Sequence, residues 1–483
     1  MTDSCCFRSH PIYILHFLRK YLFILLIPLG RGFVHALTGG FASWIQGAWM
    51  DILAVLLFFL TSFLLWLACR IQVSPSAITV KQGFLFRRTI FIPASRFSCV
   101  TSISAFYLKP FHAMQVRIDT PGGRIRKADL VLTISQKNWE KFYPFLHADA
   151  SSKEQYRVYS PKNSYIVLLA ALTSNSFAGI LVISTFITQL GSILGSSFSE
   201  RIYNAFESTT RLLSVGIPPI AVALAVLLIV GWLLTFFVNA IRQQKLTVRR
   251  TNSLLEISGG LFTQRTYFLS PRHLAFIDIR QTLLTRILKI SSVFVYTIGY
   301  RKYDAELDAV IPCANPQNLR ARIFHLLPEY FISERQVKPR IRHFIPPMTA
   351  PVVGLCLLIP IAARTAVYLL PDWAPIIWWG TLFCEVPAIW YALVRIVDGF
   401  TAGISLNDEC WTLRYTNKFH FHTVLIRNSK VSGMILFRTP WQKIRDRCHL
   451  IVFSYTERRN IHVIRNLPYE ETLELIKKAK NSK

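Results

Sequence analysis

Clustered arginine and lysine side chains are the groups in this chain with the clearest potential for chemistry. The candidates between residues 70 and 163 are Arg87, Arg88, Arg96 and Arg124. Those between residues 241 and 348 are Arg249, Arg250, Arg265 and Arg272. A guanidinium carries a planar fork of donors that matches phosphate and carboxylate oxygens. Each such charge near an anionic leaflet contributes about 1 kcal/mol of attraction, which salt screens. The clusters predict contact with anionic lipids or a partner, although a basic flank that only sets membrane topology would have the same composition.

Ionisable residues inside apolar stretches form a second group of candidates. Arg364 and Glu385 lie in adjacent apolar stretches, and their depths differ by about 6 Å at 1.5 Å per helical residue. Arg31 and Asp51 form a similar pair near the outer end of the first two stretches. Charges at such depth are costly unless they are paired. We expect structural ion pairs; a transport pathway is the alternative, but it would require more polar and broken segments at the midplane.

Catalytic and metal-binding patterns are absent from the sequence. The nine cysteines form no C-x-x-C pair, and no phosphate-binding glycine loop or nucleophile elbow occurs. His420 and His422 would share one strand face, but no third metal ligand accompanies them. The sequence therefore predicts no metal, no cofactor and no enzymatic activity.

Composition indicates a membrane protein. Charged residues make up 17% of the chain and hydrophobic residues 52%, with a mean hydropathy of +0.36. The formal net charge of +29 would suit a nucleic acid or a membrane surface. Because the basic residues are shared among three membrane flanks and no nucleic-acid-binding motif is present, we exclude nucleic acid.

Six apolar stretches are long enough to cross a bilayer, which needs about 20 such residues. They run approximately from 20 to 38, 48 to 69, 164 to 190, 212 to 240, 349 to 370 and 374 to 397. They come in pairs, and a polar stretch follows each pair. Together the three polar stretches contain 48 of the 55 basic residues. The positive-inside rule predicts three helical hairpins, with the polar stretches and both termini in the cytoplasm. Residues 191–211, between the two stretches of the second pair, predict an amphipathic interfacial helix.

The polar stretches resemble one another at constant offsets. The segment GFLFRRTIFIPASR from Gly83 aligns without a gap with GLFTQRTYFLSPRH from Gly260, an offset of 177. A more diverged third copy aligns at an offset of 334, which places Thr423 on Thr89. Within each copy, short β-rich runs bounded by Gly, Asn and Pro predict strands, with the glycines at tight turns. Each copy ends in a predicted helix that is preceded by Ser135, Asn315 or Pro468.

These features resemble bacterial membrane proteins with type 2 bacterial pleckstrin-homology (PH) domains, in particular the large multi-domain members. His10 and Pro11 precede a first helix, and paired membrane helices then precede the "GFLFRRTIFIPASRF" segment. The resemblance implies an α+β membrane protein in which each hairpin is followed by a cytoplasmic, seven-stranded PH-like sandwich or barrel with a C-terminal helix. The third copy departs from the pattern, because it lacks the turn glycine and has Arg427 in place of Pro93.

The predicted organisation alternates membrane and PH-like segments. The ranges are 1–69, 164–240 and 349–397 for the three membrane segments, and 70–163, 241–348 and 398–483 for the three PH-like domains. We expect a non-enzymatic protein of the bacterial inner membrane that assembles with other proteins in envelope maintenance or defence. Expected partners are anionic membrane lipids and either further copies of the chain or a shorter PH-domain membrane protein. A lipid-binding or lipid-handling protein is the alternative, and a transporter or channel the third.

Overall fold

The computed structural model describes most of the chain. The described residues are 5–14, 49–83, 86–122, 128–146, 157–174, 179–180, 183–185, 196–214, 219–297, 309–339, 345–407, 409–456 and 461–481. Within them, strands and helices form a mixed α/β architecture with several β-sheets.

Three β units follow one another along the chain. The first has β1 (Cys5–Arg8), helix α1 (Trp49–Ala68), β2 (Arg70–Val73), β3 (Ala77–Gln82), β4 (Arg88–Pro93), β5 (Cys99–Ser104), β6 (Ala113–Asp119), β7 (Leu130–Ser135) and helix α2 (Gln136–Leu146). The second has β8 (Arg157–Tyr159), helices α3 (Asn163–Thr173), α4 (Ser196–Leu213) and α5 (Pro219–Gln243), β9 (Thr247–Arg250), β10 (Leu255–Gly259), β11 (Gln264–Leu269), β12 (Leu274–Thr282), the short helix α6 (Leu283–Ile287), β13 (Ser291–Thr297), β14 (Ile311–Ala314) and helix α7 (Pro316–Leu326). The third has helices α8 (Ile345–Leu369) and α9 (Ala374–Thr401), β15 (Gly403–Asn407), β16 (Cys410–Asn417), β17 (His420–Arg427), β18 (Val431–Phe437), the short helix α10 (Pro440–Ile444), β19 (Arg447–Ser454), β20 (Ile461–Pro468) and helix α11 (Tyr469–Asn481).

Corresponding positions of the three units follow the offsets read from the sequence. A 3-10 turn follows β4, β11 and β17, at Ala94–Arg96, Pro271–His273 and Asn428–Lys430. A left-handed residue stands at one further corresponding position, as His112 with φ 49°, Lys289 with φ 54° and Asp446 with φ 48°. Positions 177 and 334 residues apart can therefore be compared directly.

Helices, most of them apolar, separate the start of each unit from its remaining strands. β1 pairs with β2 although α1 lies between them, and β8 pairs with β9 although α3, α4 and α5 lie between them. In the third unit a single bridge from Val337 to Ile404 spans α8 and α9. The first and second units therefore have seven strands, as the family resemblance implied, whereas the third has six strands and this bridge. β8 lies in the range predicted for the first domain, yet it pairs within the second unit.

Neighbouring units share sheets, which the sequence analysis did not foresee. Within the described residues, the strand orders are β1-β2-β3-β4, β7-β6-β5-β11-β10-β9-β8, β14-β13-β12-β17-β16-β15 and β18-β19-β20. Each unit is thus split between two sheets. The second half of one unit continues into the first half of the next through an antiparallel pair, β5 with β11 and then β12 with β17. We call these two pairs the first and second join.

The two joins have the same register. Val100 faces Phe268 in the first join, and Ile277 faces Leu425 in the second. Ile277 lies 177 positions after Val100, and Phe268 and Leu425 both correspond to Phe91. One pairing geometry therefore connects the units twice.

The apolar cores also extend across the joins. In the first join, the rings of Trp139 and Tyr143 on α2 lie 5.7 and 5.8 Å from the ring of Phe268 in the next unit. In the second join, Leu425 is buried in one cluster with Leu319 and Ile323 of α7. The closing helices of the first and second units thus pack at the same position of the unit that follows each of them.

The predicted turns and caps are partly observed. Gly83 and Gly260 have φ of +99° and +108°, and a Cβ on either would lie 2.1 Å from a backbone oxygen. In the third unit Lys418 adopts φ 54° in a shorter hairpin. Ser135 caps α2 by accepting from the Asn138 amide at 3.3 Å, whereas the side chain of Asn315 makes no capping hydrogen bond.

Three described helices are long and apolar enough to span a membrane. Their apolar ranges are Ile220–Gln243, Val352–Leu369 and Pro371–Thr401. The last two belong to α8 and α9, which pack against each other around a short 3-10 turn. The predicted span from 20 to 38 lies outside the described residues, and the spans from 48 to 69 and from 164 to 190 contain the shorter apolar helices Leu56–Ala68 and Asn163–Thr173. Most of the range from 191 to 211, where an amphipathic helix is predicted, forms α4; its location at a membrane interface stays a prediction.

Candidate functional site

Two strands that correspond to the strands of the joins, β4 and β18, have a free edge. β4 and β18 end their sheets and pair with no further strand among the described residues. Phe91 on β4 is 64% exposed, whereas its counterpart Phe268 is 3% exposed. On β18, Ile435 and Phe437 are about half exposed. Two apolar strand edges thus lie open at opposite ends of a continuous structure.

A groove of about 580 Å³ runs along β4 and reaches the turn after β6. Arg88 and Arg96, two of the predicted basic candidates, line it together with Asp129. Arg87 is exposed nearby, and Arg124 lies outside the described residues. In the first unit the structure therefore brings Arg88 and Arg96 together beside the free edge.

The basic candidates of the second unit have different surroundings. Arg250 is buried and donates from Nη2 to Glu329 Oε1 at 2.5 Å, and burial lowers the pKa of this guanidinium. Arg265 lies in the first join opposite Ile103. Arg249 and Arg272 are exposed. Arg250 thus belongs to an internal ion pair, and no single basic cluster gathers the four residues.

The structure describes both members of only one predicted intramembrane pair, Arg364 and Glu385, and it does not join them in a salt bridge. Within the described part of the chain no salt bridge joins Arg364 on α8 to Glu385 on α9, and Glu385 Oε2 has no hydrogen-bond partner there. Arg31 lies outside the described residues. Asp51 lies in α1, but the position of its side chain is outside the description.

A pocket between the third unit and helices α8 and α9 collects basic groups that the sequence analysis did not select. Its volume is about 890 Å³. The apolar wall includes Val352, Leu355 and Ala388, and the basic wall includes Arg395, Arg447 and Arg465. An apolar wall on membrane helices beside a basic wall on a β unit suits an anionic amphiphile. We call this the hairpin pocket.

Arg395 is held rigidly in the hairpin pocket. It is 7% exposed, and its Nε and Nη2 donate to Tyr391 Oη at 2.9 and 2.6 Å. Its Nη1 lies 3.8 Å from Asp398 Oδ2. Asn466 also lines the pocket, and its buried Nδ2 has no hydrogen-bond partner among the described residues. The pocket therefore offers preorganised donors to an acceptor-rich group.

Positive charge accumulates around the same pocket. Burial and then the charge of Arg395 lower the pKa of Arg465, and burial and then the charge of Arg465 lower the pKa of His449. Such shifts mean that the charged forms are disfavoured where they stand. An anion bound between these groups would relieve that repulsion.

A short helical turn in each unit carries exposed apolar side chains beside a basic residue. The turns are the 3-10 helix Lys109–Phe111 and the helices α6 and α10. The apolar side chains are Tyr107 and Phe111, Leu284 and Ile287, and Trp441 and Ile444. The basic neighbours at corresponding positions are Lys109, Arg286 and Lys443. In the third unit Trp441 lines the hairpin pocket, and in the second Leu283 packs against Val394 of α9. The turns of the second and third units thus lie beside the membrane-length helices α8 and α9, where apolar and basic side chains suit the bilayer interface.

His422, one of the two histidines noted in the sequence, has a structural partner in the second unit. His422 Nδ1 lies 2.9 Å from Asp278 Oδ1, whereas His420 stands at the end of the same strand. No group of three metal-ligating side chains occurs among the residues that the structure describes. His422 thus contributes to the second join.

The fold and these surfaces define a membrane-associated protein of mixed α/β architecture whose β units are interrupted by apolar helices. The family model of the bacterial PH domain matches residues 23–149 and 179–327, more than half of the chain. The chain therefore belongs to the type 2 bacterial PH domain family. The matched ranges lie before the third unit. Searches of curated proteins and of solved structures found no match.

Sequence reasoning missed the hairpin pocket and the free strand β18. The pocket combines distant segments, so no local pattern announces it. β18 reads VSGMILF without a charge or an alternating polar face, and this composition was the available signal.

Proposed function

We propose that the chain is a non-enzymatic protein of the bacterial cytoplasmic membrane, with six membrane-spanning helices in three hairpins. Its three PH-like domains, copies of one ancestral unit, lie in the cytoplasm with both termini. The pairing of β1 with β2 and of β8 with β9 supports this topology, because each group of helices leaves and re-enters the same sheet. The excess of basic residues in the domains supports the cytoplasmic side.

Its function is to present these domains as one platform for protein assembly in envelope maintenance or defence. The observation that carries this proposal is the pair of joins with identical register. Sheets that continue between domains fix the domains relative to one another, whereas independent binding modules would need no such connection. The open edges β4 and β18 then offer contact sites for further proteins.

Native mass spectrometry of the full-length protein, extracted with its lipid, tests the assembly function. We expect a stoichiometric partner or a fixed oligomer, and a lone chain would contradict it. In the bacterium that encodes the protein, deletion should increase sensitivity to membrane-active compounds, and the wild-type chain should restore resistance. Unchanged sensitivity would contradict the role in defence.

Cysteine labelling tests the topology. Asp372, between α8 and α9, and Lys418, on the third unit, are both exposed. A membrane-impermeant thiol reagent applied to spheroplasts should add label with Asp372→Cys, but with Lys418→Cys only after lysis. The unsubstituted protein gives the background from native cysteines. Labelling of Lys418→Cys in intact spheroplasts would contradict the proposed cytoplasmic location of the third unit.

Binding of anionic lipid is a second candidate function, and the hairpin pocket favours it specifically. Its apolar wall can hold an acyl chain, and its arginines can hold a phosphate. Arg465→Gln should reduce retention of anionic lipid by about tenfold or more, since a charge-assisted contact contributes about 1.5 to 3 kcal/mol. Arg427→Gln is the matched control, because Arg427 is paired with Glu409 on another face. Equal retention by both variants would count against the pocket.

Transport is the third candidate, and no observation on the described residues favours it; no salt bridge joins Arg364 to Glu385 there.

A further inference from the structure

We infer that β18 of one copy of the chain pairs with β4 of a second copy, so that the sheets continue from chain to chain. The inference deepens the proposed assembly function, on which it rests, by naming the partner and the contact. β18 occupies the position that β5 and β12 occupy in the two joins, and β4 occupies the position of β11 and β17. One chain therefore carries both halves of a third join, at opposite ends.

The register of this third join follows from the first two. Val100 and Ile277, which face Phe268 and Leu425, correspond to Met434. Met434 should therefore face Phe91 of the next copy. Leu436 corresponds to Ser102 and Ile279, which pair with Thr266 and Thr423 in the two joins. Since Thr266 and Thr423 correspond to Thr89, Leu436 should face Thr89 of the next copy.

The closing helix supplies a second contact. In the first join, Tyr143 of α2 packs on Phe268, and it stands eight residues after Ser135. Ser135 pairs with Ala113, and in the third unit the corresponding pair is Pro468 with Arg447. Eight residues after Pro468 comes Ile476, which is only partly buried. Ile476 of one copy should therefore cover Phe91 of the next copy. This contact would explain why Phe91 is exposed in the single chain.

The composition of both edges suits pairing. Free edges in natural sheets usually carry charges, prolines or distortions that block association. β18 carries no charge, and its register shift between Val431 and Gly433 corresponds to the shift between Leu274 and Phe276 in β12, which does accept a strand. β4 has three consecutive apolar residues from Ile90 to Ile92. It begins with Arg88, but the corresponding Arg265 lies within the first join, and Pro93 lies one position beyond the residues that correspond to the paired part of β11. Because the two surfaces differ, the contact is head-to-tail and builds a ring or an open chain.

Disulfide trapping tests the register. Two differently tagged chains are expressed together, one with Thr89→Cys and the other with Leu436→Cys. Directly opposed residues in an antiparallel pair have Cα atoms about 5 Å apart, within disulfide range. We expect one oxidised heterodimer that contains both tags. Ile435→Cys in place of Leu436→Cys is the matched control, because it is more exposed but points to the opposite face. A product of equal yield with Ile435→Cys, or none with Leu436→Cys, would overturn the inferred register.

A substitution on the free edge tests the contact itself. Phe91→Asp should weaken association at least about tenfold, since it places a charge where an aromatic ring is buried. Phe86→Asp, on the exposed hairpin of the same unit, should leave association unchanged. Thermal unfolding of both variants checks that each still folds.

Native mass spectrometry then distinguishes three outcomes. An oligomer insensitive to Phe91→Asp overturns this inference and leaves the proposed assembly function standing. A wild-type chain that is always alone overturns both. A different protein released by Phe91→Asp overturns the second copy as occupant.

Discussion

His422 of the third unit lies 2.9 Å, from Nδ1 to Oδ1, from the buried carboxylate of Asp278 in the second unit. Arg280 donates from Nε to the other carboxylate oxygen at 2.6 Å. Burial opposes ionisation of Asp278, but the charges of Arg280 and His422 hold its pKa below the ordinary value of 3.8. A polar contact between two units thus lies in the middle of a shared sheet.

Asp278→Asn should destabilise the protein by about 2 to 4 kcal/mol, because one partner of a buried charged group is lost. Since the folded-state pKa is lowered, the stabilisation is complete above the unfolded value of 3.8 and falls as pH drops below it. Thermal melts from pH 7 to pH 3 should therefore show a difference between wild type and variant that shrinks below about pH 4. Asp129→Asn, whose half-buried carboxylate accepts from Thr120, should cost about 1 kcal/mol. Equal melts of wild type and Asp278→Asn would contradict the role of this contact.

Phe268 and Phe91 test the joins at a single corresponding position. Phe268→Ala should cost about 3 to 5 kcal/mol, because the ring is buried between α2 and the sheet. Phe91→Ala should change the stability of the dilute, dissociated chain by less than about 0.5 kcal/mol. Chemical denaturation in detergent measures both. A large loss from Phe91→Ala in the dissociated chain would mean that β4 is covered within its own chain.

Gly260 tests the requirement for a left-handed turn. Gly260→Ala should cost about 1 to 3 kcal/mol, since φ is +108° and the new Cβ would meet the Thr263 oxygen at 2.1 Å. Gly122→Ala should be nearly neutral, because nothing lies within 4 Å of its Cβ position. Differential scanning fluorimetry can compare the two. Similar melting temperatures would show that the β10–β11 turn relaxes readily.

Trp441 tests whether the short turns reach the bilayer. It is 79% exposed and lies beside the membrane-length helices. In nanodiscs with lipids brominated near the head group, wild type should lose more tryptophan fluorescence than Trp441→Phe. The difference should disappear with lipids brominated at the chain ends, because interfacial tryptophans lie near the head groups. Identical quenching of both proteins would place the turn away from the lipid.

Much of the architecture could be predicted from local patterns. The offsets that align Thr89 with Thr266 and Thr423 also locate the 3-10 turns and the left-handed residues, because each unit has the same local steric requirements. Gly83 and Gly260 identified their turns for the same reason.

The joins could not be predicted, since strand pairing depends on which edges meet in space. Asp278 offered a partial signal, as a single acid in the strand LAFIDIRQT that a buried position would force to find a partner. The hairpin pocket was hidden because Arg395, Arg447 and Arg465 come from a membrane-length helix and two later strands. Charge counting assigned such residues to topology, and only the fold distinguishes those that meet in one cavity.

The shared sheets also set a schedule for biosynthesis. β5 ends at Ser104, but its neighbour β11 is complete only at Leu269, roughly 165 residues later. At about 5 to 20 residues per second, a ribosome needs roughly 10 to 30 s to make that segment, which includes α5, a helix long and apolar enough to span a membrane. The nascent first unit thus waits with an unpaired strand edge, which can attract other chains. Cells that make this protein must either shield that edge or complete translation faster than it finds a wrong partner.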